Sequence, residues 1–74
     1  MNLVGTFWIE KKNSNSDYAD DGSAMVIIGI QHDQFNVLQT LSIMYANGEI
    51  HEYNRKNWDV DQILKDIFQF REMI

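Results

Sequence analysis

The sequence predicts an α+β domain: a small antiparallel sheet followed by one amphipathic helix. Three observations carry that expectation. Apolar residues alternate with period two in residues 3–11 and 36–46, the pattern of half-buried strands. Asn47-Gly48 stands between two such runs and marks a hairpin. Val60, Ile63, Leu64, Ile67 and Phe68 then repeat at i, i+3, i+4, i+7 and i+8, which lines one face of a helix.

The first strand is expected over residues 3–11, "LVGTFWIEK", with Leu3, Gly5, Phe7 and Ile9 on one face and Val4, Thr6, Trp8 and Glu10 on the other. A polar stretch, 13–23, follows. The second strand, 24–31, "AMVIIGIQ", is apolar on both faces and suits a central position, with Gly29 marking a bulge or a close backbone approach. "HDQFN" reads as a turn. The third and fourth strands are expected over 36–46 and 49–55.

A two-residue Asn47-Gly48 loop would set Tyr45 opposite Ile50, Met44 opposite His51 and Ser42 opposite Tyr53. Ile43, Tyr45 and Ile50 would then share one face, and Met44, His51 and Tyr53 the other. The helix is expected over 59–72. Asp59 is its N-cap, Gln62 the capping-box partner, and Trp58 with Ile63 a hydrophobic staple. Phe70, Met73 and Ile74 widen its apolar stripe, and Asp61 with Lys65 makes an i,i+4 pair.

These elements give a four-stranded antiparallel meander, flat or curled into a half-open barrel, with the helix sealing one side. A strand, a long loop and a meander follow one another in an order similar to that of SH3-like barrels. No SH3 tryptophan pair accompanies that order. In the SH3-like case the long loop would help to bind ligands. The uncovered face would show Trp8, Val4, Met44 and Tyr53.

Seventy-four residues make one domain with a small core, and the absence of cysteine leaves it dependent on packing. No apolar run reaches membrane-spanning length, and the N-terminal basic residues follow the apolar stretch instead of preceding it, so a cytoplasmic protein is expected. The net charge is −5, and no Lys or Arg occurs between Lys12 and Arg55. That span repels phosphate backbones and favours a basic protein surface.

No motif identifies a reaction or a cofactor. Asn13, Asn15 and Asp17 fall at alternate positions as in a calcium loop, but Tyr18 replaces the required glycine and Ala24 the bidentate glutamate. His32 and His51 lie on separate elements without a metal-ligand spacing, and the serines lack a nucleophile-elbow context.

The expectation is therefore a non-catalytic, acidic protein-binding module of the inhibitor, immunity or phage-accessory kind. A mimic of nucleic-acid charge is its sharper variant. It would dock a basic partner or a copy of itself through Asp17, Tyr18, Asp20, Asp21, Asp33, Glu49, Glu52, Trp8 and Tyr53. The alternative is a single-strand nucleic-acid barrel using Arg55, Lys56 and the neighbouring aromatics.

Overall fold

A computed structural model describes residues 2–11 and 24–74. Five strands and one helix follow one another: β1 (Phe7–Glu10), β2 (Ala24–His32), β3 (Leu38–Tyr45), β4 (Ile50–Asn54), α1 (Val60–Phe70) and β5 (Arg71–Met73). All strand pairs are antiparallel and the sheet order is β4-β3-β2-β1-β5, with β4 and β5 as its two edges. The sheet is open. It does not curl into the half-open barrel, and it holds one strand more than the expected meander.

The extra strand comes from the end of the expected helix. α1 stops at Phe70, where Arg71 takes an extended conformation with φ −126° and ψ 160°. The chain then runs back along β1, pairing Glu10 with Arg71, Ile9 with Glu72 and Trp8 with Met73. Lys11 N donates to Phe70 O and Ile74 N to Phe7 O at the two ends of that ladder. Without β5 those β1 groups would lack partners, and backbone groups at a sheet edge pair where a strand is within reach. Met73 and Ile74 therefore belong to the sheet and not to the helical stripe.

The helix start follows its sequence signals in part. Asp59 Oδ1 accepts from Gln62 N at 3.2 Å, as an N-cap should. The Gln62 side chain does not return to the cap; its Nε2 donates to Asp66 Oδ1 at 2.9 Å. Asp61 pairs with Arg55 at 2.7 Å instead of with Lys65. Trp58 packs edge-on against Tyr53, with ring centroids 5.1 Å apart.

β1 is also shorter than its alternation suggests. Gly5 sits at φ +88°, a left-handed conformation, and Thr6 N donates to Leu3 O to close a turn over residues 3–6. That turn takes Leu3 out of the Phe7 and Ile9 row and packs it against the core. The 33–37 turn is where "HDQFN" places it, with Asn36 at φ +62°. The expected bulge at Gly29 is present: the β2–β3 register shifts between Ile27 and Gly29, and a Cβ at Gly29 would meet Ser42 at 3.4 Å.

The β3–β4 hairpin forms with a different loop. Tyr45 N donates to Glu49 O and Gly48 N to Tyr45 O, so the loop has three residues, Ala46, Asn47 and Gly48, with Gly48 at φ +87°. This is the type I turn with a left-handed glycine, not the two-residue Asn-Gly turn. Its extra residue moves the register by one: Met44 faces Ile50, Ile43 faces His51 and Leu41 faces Tyr53. Every β4 side chain consequently lies on the face opposite to the expected one.

Directly opposed residues share a face, so the register sorts the sheet. The inner face carries Trp8, Met25, Ile27, Leu41 and Ile43, joined by Ile67 of α1 in one buried cluster. Ile27 and Leu41 are wholly buried. Trp8 belongs here, against Phe68 with centroids 5.4 Å apart. The expected uncovered face is thereby corrected: Trp8 is under the helix, while Phe7 takes the open side. Towards one end of the inner face Glu10 and Arg71 oppose each other, both buried, and among the described residues neither Glu10 oxygen has a hydrogen-bond donor.

Candidate docking edge

β4 is an edge strand whose inner-side residues form an aromatic ladder. The loop register puts Glu49, His51 and Tyr53 on the inner side next to Tyr45, beyond the reach of full helix cover. His51 stands edge-on to Tyr45 at 5.0 Å between centroids and tilted against Tyr53 at 6.0 Å. Trp58, at the helix entrance, closes the run through its contact with Tyr53. The Tyr45 and Tyr53 hydroxyls are 2.9 Å apart and hydrogen-bonded.

Burial is graded along this ladder. Tyr45 and Tyr53 are half-buried, His51 is exposed, and Trp58 is 53% exposed. Rings held by their neighbours in this way present contact area at little further cost in side-chain entropy on binding. Burial, followed by the hydrogen bond to Tyr53, raises the Tyr45 hydroxyl far above the ordinary tyrosine range, with Arg71 acting weakly in the other direction. The Tyr45 hydroxyl therefore acts as a neutral hydrogen-bonding group.

The acidic member is Glu49. Its Oε2 lies 3.2 Å from His51 Nε2. The bond from His51, then one from Asn47, hold its carboxyl below the usual glutamate range. Glu49 is exposed, so this is a charge available to a partner and not a large term in folding.

Other residues proposed from sequence are placed elsewhere. Asp33 is committed to its own turn: Oδ1 accepts from Phe35 N at 2.8 Å and Val37 N at 3.0 Å, and Oδ2 from Gln39 Nε2 at 3.2 Å. Trp8 is 5% exposed, and its indole N–H donates to Thr6 Oγ1 at 2.8 Å, so it is a core residue and not a surface anchor. Glu52 is exposed on β4 but on the outer face, opposite Ser42. Asp17, Tyr18, Asp20 and Asp21 lie outside the described residues.

Arg55 does not present a free guanidinium. Its Nε donates to Leu38 O at 2.6 Å and its Nη2 to Asp61 at 2.7 Å, tying the end of β4 to β3 and to the first turn of α1. His32 borders a crevice of about 310 Å³ with Leu3, Val4, Ile30 and Leu64, well away from His51. Among the described residues no group of three His, Asp or Glu side chains is placed to hold a metal ion. No helix among them is long and apolar enough to cross a membrane.

Sequence reasoning missed Tyr45, His51 and Trp58 as members of one surface. The one-residue error in hairpin register separated Tyr45 from Tyr53, and the staple reading pointed Trp58 at Ile63. The available signal was the glycine at the third loop position, which the three-residue hairpin requires. No family model, curated protein or solved structure matches this chain.

Proposed function

We propose that this chain is a non-catalytic protein-binding module whose β4 edge docks a basic protein surface. The observation that carries the reading is the Tyr45–His51–Tyr53–Trp58 ladder beside the Glu49 carboxylate on an exposed edge strand. Aromatic anchors supply desolvated contact area, and charges at the rim steer approach and fix orientation. The whole span from residue 33 to residue 54 contains Asp33, Glu49 and Glu52 and no Lys or Arg. A cationic partner side chain laid on Trp58 would gain cation–π attraction as well as the Glu49 charge.

Single-strand nucleic-acid binding through Arg55 and Lys56 has weaker support, because the Arg55 side chain is already engaged by Leu38 and Asp61. The test is affinity capture, identification of the partner and reconstitution of the purified pair. Trp58→Ala should cost about 2 kcal/mol, roughly thirty-fold in affinity. Glu49→Lys should weaken binding and flatten its salt dependence. A partner indifferent to both substitutions, or micromolar binding of an oligonucleotide at physiological salt, overturns the proposal.

A further inference from the structure

β4 offers backbone groups as well as side chains. Tyr45 N donates to Glu49 O at one end of the β3–β4 ladder and Arg55 N to Gln39 O at the other, and the register between them runs without a shift. Backbone groups alternate in direction along an antiparallel strand, so Glu49, His51, Tyr53 and Arg55 turn theirs towards β3. Ile50, Glu52 and Asn54 turn theirs away. Asn54 O is taken by the N–H groups of Asn57 and Trp58. The N–H and C=O of Ile50 and Glu52 have no partner strand among the described residues, because β4 ends the sheet, and both residues are exposed.

Sheet edges are commonly blunted by lysine, proline, a bulge or extreme shortness. β4 has none of these over its five residues. β5, the other edge, has three residues, and the N–H of Arg71 is already given to Ile67 O. Two donor–acceptor pairs about 6.8 Å apart on an unbulged strand are a template for one added strand. Such pairing selects an extended segment and not a helix.

The side chains say which segment. An identical copy of β4 is disfavoured: the fully overlapped antiparallel register sets Glu52 opposite its own copy, and like charges so placed are destabilising. The neighbouring registers leave the two glutamates on a diagonal of about 7–8 Å, and β4 has no Lys or Arg to offset them. A basic strand meets the reverse situation. One cation opposite Glu52 and another three residues on, opposite Glu49, pair with both carboxylates. The residue opposite Ile50 is apolar, and those opposite His51 and Tyr53 lie beside the aromatic ladder.

We infer that the docking edge takes its partner by strand addition: an extended basic segment of another protein pairs antiparallel with β4 as a sixth strand. This rests on the docking edge proposed above and adds that the backbone of Ile50 and Glu52 carries the contact.

The probe is an end-blocked peptide, Thr-Tyr-Lys-Thr-Ile-Lys-Thr, titrated into the isotope-labelled full chain and followed by NMR. Its first lysine falls opposite Glu52, its isoleucine opposite Ile50 and its second lysine opposite Glu49. Binding should saturate below about 1 mM, and the Ile50 and Glu52 amides should slow in hydrogen exchange by about tenfold or more. N-methylation of the first lysine removes the N–H due to Glu52 O and should weaken binding by about tenfold or more. Glutamate in place of both lysines should do the same, as should Glu52→Lys in the protein, with unchanged circular dichroism showing that this variant folds. No saturation at several millimolar peptide overturns the inference, and so does protection that appears at Met73 on β5 instead. An N-methylated peptide that binds equally well overturns strand addition while the side-chain docking edge stands. Addition to β4 that Trp58→Ala and Glu49→Lys leave unchanged supports strand addition and removes the aromatic and charged anchors of the docking reading.

Discussion

Glu49 shows how one hydrogen bond decides what a side chain offers. His51 and Asn47 stabilise its charged form, so its folded-state pKa is depressed. For a depressed carboxyl, the stabilising contribution is present above the unfolded pKa and is lost as pH falls through the lower folded value. The Glu49 carboxyl resonance should therefore titrate below the ordinary value of about 4.3. His51→Ala should move that midpoint up towards the ordinary value, because the larger of the two contributions comes from His51. An unmoved midpoint would mean that the 3.2 Å contact has no weight in solution. Partner docking, if it uses this charge, should weaken over the same acidic interval.

At the scale of elements, the hairpin loop and the helix cap are the two local devices that fix where β4 and α1 stand. Gly48 at φ +87° occupies a conformation that L side chains enter at a cost of about 1–2 kcal/mol, although nothing lies within 4 Å of a Cβ placed there. Gly48→Ala should lower stability by about that amount in urea unfolding. Asp59→Ala should cost about 1 kcal/mol through loss of the bond to Gln62 N. Gly29→Ala should cost less than Gly48→Ala, because its backbone is not left-handed and Ser42 stands at ordinary contact distance.

Much of this level was legible beforehand. The Asp59 cap, the Val60, Ile63, Leu64 and Ile67 stripe, the 33–37 turn and the Gly29 bulge all follow from local chemistry. The loop length was not, since Asn47-Gly48 satisfies both a two-residue and a three-residue turn, and strand pairing over the whole hairpin chooses between them. Nor was β5: residues 71–73 continue the apolar spacing of the helix, and only the free edge of β1, about sixty residues earlier, gives the extended form its partners.

For the whole molecule, stability rests on a thin inner layer. Leu41 and Ile27 are fully enclosed between sheet and helix, and truncation of either to alanine should cost about 2–5 kcal/mol. A domain of this size has about 5–15 kcal/mol in total, so either truncation should remove a large share of it and lower the unfolding midpoint markedly. Ile50→Ala, on the open face, should leave monomer stability within about 0.5 kcal/mol. Thermal unfolding at low protein concentration separates the two classes. Equal losses at Leu41 and Ile50 would contradict the inner and outer faces assigned from the register.

Composition and periodicity alone determined that this chain is an antiparallel sheet with one capped amphipathic helix and an acidic middle. Those properties depend on contacts a few residues apart: turns, caps, and the repeat of apolar side chains. Tertiary structure decided which side of the sheet each side chain occupies, that Trp8 is buried while Phe7 is exposed, and that the last residues form a strand. A period of two records that neighbours point to opposite sides without saying which side is inside, so one extra loop residue reverses a whole strand. Choosing the inside, and pairing the two ends of the chain, takes contacts between residues far apart in sequence.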